Sequence, residues 1–477
     1  LGITAVELMP VAQFPGERNW GYDGVYPFAV QASYGGPEGL KRLVDACHQR
    51  GMAVVLDVVY NHLGPEGNYL SEFGPYFTDA YRTPWGQAIN FDGAESDEVV
   101  KFFAQNALQW VGDFHIDALR LDAIHGIVDR NARPFLELLG CEVDRLAEET
   151  GRKIYLIAES DLNDSRFVLP RKANGYGLHA QWNDDFHHAV HVLMTGEQGG
   201  YYQDFGSVGQ LAKAYSEGYV YTGEYSKFRK RRHGNSSSEI EARQLVVFTQ
   251  NHDQVGNRML GERLRQLVSF DALKVCAGLL VLSPFLPLIF MGEEYAETAP
   301  FLYFTSHSDP NLIEAVRRGR KEEFAAFSWQ GEAPDPQAEA TFLSSKLDRK
   351  RAEREPHRQL FDLYKELLRL RRSLPALRDL SKDRTKVEAF EQEKLLLVTR
   401  WSKGSHVFMA FNLGGSEAGL TLPVPDGNWE RLLDSSDHRW KGTGSRLPEK
   451  IASQDEVELT LPARSFCAFN RSWAEKL

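Results

Sequence analysis

Paired cysteines, a zinc-binding spacing, a membrane-length apolar run and an excess of positive charge are all absent from this sequence. Its four cysteines, Cys47, Cys141, Cys276 and Cys467, lie far apart. That spacing favours free, mostly buried thiols in a reducing compartment, and hence a cytoplasmic protein. The most apolar stretch, Val275 to Met291, contains Pro284 and Pro287; it is too short for a membrane span and reads as a core helix running into a buried strand. The net charge of -11 argues against nucleic acid, whose phosphates call for a concentrated positive field, and is indifferent to an uncharged ligand. One basic run, Arg229-Lys230-Arg231-Arg232, reads as a solvated loop. The strand-like residues at Leu1 follow no initiator Met or signal segment, which reads as a truncated start.

What is present is a long alternation of apolar runs and amphipathic segments, the signature of parallel βα units. Strands are expected near 5–9, 52–59, 117–122, 153–158, 178–182, 245–249 and 286–291, with helices such as Pro37 to Arg50, Val99 to Phe114 and Pro134 to Thr150 between them. A chain of 477 residues accommodates a barrel of TIM type and a second, smaller domain. Segment 306–356 is charged and reads as a surface excursion before a helix from about His357 to Arg372, whose apolar face is Leu360, Leu363, Leu367, Leu368 and Leu370. Beyond Pro375, Val387 to Trp401 and His406 to Asn412 read as antiparallel strands. The expected organisation is an α/β barrel domain over 1–375 and an all-β domain over 376–477.

Acids close several of the apolar runs: Asp122 after Ala118-Leu119-Arg120-Leu121, Glu159 after Ile157-Ala158, and Asp253 in Asn251-His252-Asp253. An ionised carboxylate is costly inside a buried strand, so these charges belong where strands meet a cavity. Glycoside cleavage needs one carboxylate at the anomeric carbon and a protonated one at the leaving oxygen. Asp122 and Glu159 suit those tasks. Arg120 lies two residues before Asp122, on the same side of a strand, where it holds the aspartate ionised, whereas partial burial of Glu159 raises its pKa. Asp253, beside His252, suits a grip on sugar hydroxyls, and His62 and His125 add neutral donors. Taken singly, each has a structural alternative: an Asp–Arg pair within the fold, or a histidine that only packs.

Asp57-Val58-Val59-Tyr60-Asn61-His62, Ala118 to His125, Glu159 and Asn251-His252-Asp253 resemble, in order, spacing and strand context, the four motifs of the α-amylase family of glycoside hydrolases. The resemblance implies Asp122 as nucleophile, Glu159 as general acid/base, Asp253 as transition-state stabiliser, Arg120 as partner of the nucleophile, and His62 and His252 as sugar binders. It also implies a retaining, two-step mechanism without a cofactor. A narrower set, including Asn19 to Gly24, Ala158 to Asp164, Gln181 to His188 and Asn251 to Arg258, resembles trehalose-releasing members. Those members imply a malto-oligosaccharide ending in trehalose (malto-oligosyltrehalose), or a related α-glucan, as substrate. A glucan-branching transferase with the same acids and a non-catalytic carbohydrate-binding protein are the rival readings.

Around this centre, Tyr22 is either a stacking platform for a glucose ring or loop packing. Trp182, Asp184, Asp185 and Phe186 either line the subsites for trehalose or wedge loops together. Glu293 and Glu294 serve a salt bridge or cap as readily as a ligand. His187 and His188 are neighbours that point apart, so no metal site is assigned. The family's first barrel strand and following helix have no counterpart, since Leu1 to Pro10 resembles the second strand, so a barrel lacking one strand is expected.

Overall fold

The computed structural model describes residues 1–84, 86–325 and 333–472. Seven strands lie side by side in chain order: β1 (Ala5–Leu8), β2 (Ala53–Val58), β3 (Ala118–Leu121), β4 (Tyr155–Ala158), β5 (Ala180–Trp182), β6 (Leu245–Val247) and β7 (Leu286–Pro287). Every pairing is parallel, and β1 and β7 form the two edges. The helices between and after them are α1 (Gly36–His48), α2 (Asp97–Gly112), α3 (Phe135–Thr150), α4 (Asp184–Thr195), α5 (Val208–Glu217), α6 (His252–Gly256) and α7 (Phe270–Val281). This is the expected βα alternation, curled as an open barrel.

The helices form where apolar residues recur at helical spacing. In α1, Leu40, Val44 and Cys47 are buried at intervals of four and three, and the opposite face is polar. The inner strands β2, β3, β5 and β6 bury both faces, so β2 reads as a near-continuous apolar run broken only by Asp57. All seven strands are shorter than expected, β7 most of all. On β7, Leu288 N still donates to the Val247 carbonyl at 2.8 Å, so Pro287, which has no N–H to donate, turns its nitrogen to the open edge of the sheet. Residues after β6 turn instead into the short helix α6.

The excursion contains α8 (Pro310–Ala325), and its residues 326–332 lie outside the described residues. Helix α9 (His357–Ser373) buries Leu360, Leu363, Leu367, Leu368 and Leu370, the face expected from their spacing.

Eight antiparallel strands follow: β8 (Thr385–Phe390), β9 (Leu395–Ser402), β10 (Ser405–Asn412), β11 (Ala418–Leu422), β12 (Gly427–Asp434), β13 (Lys450–Ser453), β14 (Val457–Leu461) and β15 (Ser465–Ser472). Six pair in the order β8-β9-β10-β15-β12-β13, and β11 pairs with β14. Leu395, Leu397, Phe408, Trp429 and Phe469 build a core with residues of β11 and β14. Leu396, Val398, Met409, Phe411 and Phe466, on the other face, join the core of the barrel. Burial on both faces explains why residues 395–398 are all apolar rather than alternating.

Helix α7 lies between the two sheets and is buried from Ala272 to Val281. Arg400 of β9 closes this contact, donating from Nη1 to the carbonyls of Leu282 and Ser283 just past the end of α7, at 2.8 and 2.9 Å. Gly278 allows the close approach: a Cβ there would sit 2.8 Å from Cζ of Phe466. Gly278→Val is therefore expected to destabilise the protein by about 1–3 kcal/mol. Combined with Phe466→Leu it should recover part of that loss in a denaturant double-mutant cycle; strict additivity would show that the two residues do not meet.

Candidate active site

The functional side chains sit at the C-terminal ends of the parallel strands, where the loops of a barrel converge. Asp57 on β2 and Arg120 on β3 are register partners in adjacent strands. The Arg120 side chain is wholly buried, and its Nη1 donates to Asp57 Oδ2 and to Asp122 Oδ1, each at 2.8 Å. Its Nη2 lies 3.6 Å from Glu159 Oε2. Trp182, at the end of β5, supports the guanidinium from below, 4.3 Å from its centre. The spacing of Arg120 and Asp122 thus brings both to one side, as their strand parity requires.

Asp122 is held by a second donor. Asn61 Nδ2, in the loop after β2, reaches Asp122 Oδ2 and its carbonyl, both at 2.7 Å. The residue after Asp122 adopts a left-handed backbone, Ala123 at φ 38°, an uncommon conformation for a residue with a Cβ. The turn aims the Ala123 N–H at Glu159 Oε2, 2.6 Å away. Ile124 N donates to the Glu159 carbonyl at 3.0 Å, so the two acid-bearing loops are tied together. With Oε2 facing a backbone donor and Arg120, a proton on this carboxyl belongs on Oε1.

Asp253 is displaced from its expected setting. Asn251 caps α6, accepting from Gln254 N at 2.9 Å, so His252 and Asp253 start a helix instead of ending a strand. His252 Nε2 is 2.6 Å from Tyr22 Oη, which itself donates to Asp57 Oδ2 at 2.6 Å. Tyr22 also stacks on His252 with ring centroids 5.4 Å apart. Its hydroxyl is hydrogen-bonded, and one ring face is covered by histidine. His62 Nε2 meets the Tyr22 carbonyl at 2.9 Å, which seats both loops on one rim.

One cation cannot neutralise all these carboxyls, and burial opposes their ionisation. Burial raises Glu159 to about 7, against the pull of Arg120, with Asp122 and Asp253 reinforcing the rise. It raises Asp253 to about 6. Burial also pushes Asp57 and Asp184 well above the usual carboxylate range. His252 is lowered to about 3 by burial and by Arg120, so it is neutral and donates from Nε2 to Tyr22.

Other candidates fall differently. Asp184, on the first turn of α4, feels Glu159, Asp161 and Asp253 and is contacted by Gln254 Nε2 at 3.2 Å. Asp185 Oδ2 accepts from Asn163 Nδ2 and the Val220 and Tyr221 N–H groups at 2.7, 2.7 and 2.9 Å, so it clamps loops together, the packing alternative. Trp182 and Phe186 are likewise buried packing residues. His125 stands on the rim, 4.0 Å from Asp161. Glu293 accepts from Thr249 and Tyr364 at 2.6 and 2.7 Å, a structural anchor. His187 is bonded to the Thr249 carbonyl and Tyr202 hydroxyl.

Sequence reasoning did not single out Asp57 or Asn61, although both lie inside the first motif; polar residues within a run otherwise buried were the available signal. It also assigned Arg229 wholly to solvent, whereas Arg229 bonds Asp161 at 3.0 Å.

Residues 1–84 match the family described as alpha amylase, catalytic domain, and residues 386–466 a domain of unknown function, DUF3459. Malto-oligosyltrehalose trehalohydrolase of Saccharolobus solfataricus is 50% identical over 78% of this chain and 63% of that protein. The enzyme of the same name from Rhizobium sp. is 47% identical over 86% of this chain and 69% of that protein. The chain thus spans a little under two thirds of the Saccharolobus protein's length. A putative alpha amylase from Salmonella typhimurium superposes with a TM-score of 0.84 and 37% identity, over 98% of this chain and 76% of that one. A 1,4-alpha-glucan branching enzyme of Pseudoalteromonas atlantica is more distant, 28% identical over 46% of this chain and 33% of that protein. Identity of this extent, on a fold with the catalytic-domain pattern and these motif residues gathered on one rim, places the chain in the malto-oligosyltrehalose trehalohydrolase family, within the α-amylase group of glycoside hydrolases.

Proposed function

We propose that this chain provides the catalytic centre of a retaining hydrolase that cuts the α-1,4-glucosidic bond next to a terminal trehalose unit, releasing trehalose and a shortened malto-oligosaccharide. The observation that carries the reading is the division of labour around Arg120. Asp122 is bonded directly to the guanidinium and to Asn61, whereas Glu159 is 3.6 Å from it and raised to about 7. Asp122, ion-paired with Arg120, serves as nucleophile; Glu159 keeps a proton to deliver.

In the first step an Asp122 oxygen attacks the anomeric carbon while Glu159 passes its proton from Oε1 to the departing glycosidic oxygen. In the second, ionised Glu159 takes a proton from water, and that water breaks the glycosyl–Asp122 bond. Asp253, beside neutral His252, holds ring hydroxyls and tightens as the sugar flattens. His62 and Tyr22 fix the loop beneath. No cofactor enters this scheme. The four free thiols, three of them buried, fit a cytoplasmic setting. Among the described residues no helix is long and apolar enough to cross a membrane.

Product analysis tests the substrate: a trehalose-ended maltodextrin should yield free trehalose and plain maltodextrin should not, whereas new α-1,6 branches would favour transfer. Glu159→Gln should lower turnover of the trehalose-ended substrate on the order of 10²–10⁴-fold with glycan binding kept. Equal activity of mutant and parent would remove Glu159 from the role of acid. The rate should also fall above about pH 7 as Glu159 ionises.

The same shift affects stability. A carboxyl raised from 4.5 to about 7 costs the fold nothing below pH 4.5; the penalty grows as pH rises from 4.5 to about 7 and levels off above it. Glu159→Gln should therefore stabilise the protein by up to roughly 3 kcal/mol at pH 8 and scarcely at all at pH 4.5. A Tm difference independent of pH would contradict this.

A further inference from the structure

The excursion is not wholly a surface feature. Along α8, Ile313, Val316, Arg317 and Arg320 recur at helical spacing and are half-buried, while Arg318, Lys321 and Glu322 are exposed. Arg317 fastens the helix to the returning chain, donating from Nε and Nη2 to the two Asp335 oxygens at 3.0 and 2.6 Å. Arg320 reaches the catalytic rim. Its Nη2 donates to the Gly256 carbonyl at 2.9 Å and its Nη1 to Asn257 Oδ1 at 3.0 Å, with the guanidinium 5.0 Å from the centre of the Tyr303 ring.

Gly256 closes α6, the five-residue helix whose first turn carries His252 and Asp253. A helix this short leaves its last carbonyls without partners and has little stability of its own. A guanidinium at that end supplies a missing donor, and its charge suits the helix dipole. Gly256 also packs on Trp20: a Cβ there would overlap the indole, which makes T-shaped contacts with both His252 and Tyr303, ring centroids 5.7 and 5.2 Å apart. Helix α6 is thus gripped between the loop that carries Trp20 and Tyr22 and the excursion.

The charges around Asp253 make the same connection. Asp253 shares its surroundings with Arg120 and Asp122 at the end of β3, Glu159 after β4, Asp184 on α4, Tyr201 and Tyr22, and it lies 3.5 Å from His252 Nε2. Burial raises it to about 6 and Asp122 adds to the rise, while two cations oppose it, Arg120 and Arg320. Arg120 already serves Asp57 and Asp122. The hydrogen bonds that Arg320 makes at α6 go to a carbonyl and an amide oxygen, neither of which cancels its charge, so that charge acts on the nearby carboxyl.

We propose that Arg320 is a positioning residue for the hydrolysis: it fixes the end of α6 and stands behind Asp253 as a second cation, so that the excursion completes the site. This rests on the hydrolase reading above, with Asp253 acting as an anion. The assay follows kcat and KM across pH on whichever maltodextrin, trehalose-ended or plain, the parent hydrolyses better. It covers the parent, Arg320→Gln, Arg320→Lys, Asp253→Asn and the double variant of Arg320→Gln with Asp253→Asn. Melting curves establish that each is folded.

For Arg320→Gln, kcat should fall at least about tenfold with KM within about threefold, because the interaction lost is one that strengthens in the transition state. The acid limb of kcat/KM should move up by about half a pH unit or more, since Asp253, with one cation fewer, ionises at higher pH. Arg320→Lys keeps the charge without the fork, so its limb should stay with the parent's while kcat recovers in part. In the Asp253→Asn background, Arg320→Gln should cost less than about threefold further.

A fall in kcat with the limb unmoved, or a loss as large without Asp253 as with it, would make Arg320 a structural tie, and no change in either would return it to the surface. Each of these outcomes overturns the proposal. If Arg320→Gln does not fold, Arg320→Lys decides: kcat lowered about two- to tenfold at an unmoved limb supports the assignment, and kcat equal to the parent's overturns it. A parent that hydrolyses neither maltodextrin sinks the hydrolase reading and this proposal with it, which sets that failure apart from a hydrolysing parent indifferent to Arg320.

Discussion

A single buried guanidinium organises this molecule's chemistry. Arg120 is sealed from solvent, and a buried cation is tolerated only when close anions repay its lost hydration. The repayment is shared between Asp57 and Asp122, both at hydrogen-bond distance, with Glu159 further off and Trp182 beneath. The inequality of those distances matters more than their sum. Asp122 is bonded directly to the cation, while the more distant Glu159 remains subject to burial, which raises it to about 7. Remove the cation and the carboxylates face one another uncompensated; draw it closer to Glu159 and the proton donor is lost.

The backbone serves this balance. Parallel strands in register set Asp57 opposite Arg120, and strand parity sets Asp122 beside it. The left-handed turn at Ala123 then binds the Asp122 loop to the Glu159 carboxyl through one N–H. Asn251 caps a helix so that Asp253 enters from above. Each of these local features is mildly costly: a strained turn, polar atoms in a core, acids raised above their ordinary range. Together they store the instability that a catalytic centre of this kind carries, while the apolar interlock of α7 with the C-terminal sheet supplies stability elsewhere.

Much of this was legible in the residues. The βα alternation, the face of α9 and the change of texture beyond Pro375 follow from periodicity, because burial imposes a period of 3.6 on helices and 2 on strands. The acids at strand ends were legible because charge inside an apolar run is expensive. Asp185 and Trp182 stayed open between subsite and loop packing for the same reason that Arg229 was read as solvated: their neighbours in sequence say nothing of which loop they will meet. Asp185 finds the 220–221 loop, Trp182 the underside of Arg120, and Arg229 the loop after β4.

By itself, then, the sequence determined the kinds of element, their order and the identity of the acids, since those depend on short-range pattern and on the cost of burying charge. Tertiary structure alone decided which aromatic rings are covered and which arginine leaves the solvent. Those properties depend on distances of a few ångströms between segments far apart along the chain, where Coulomb energy and desolvation change steeply and no local pattern records the outcome.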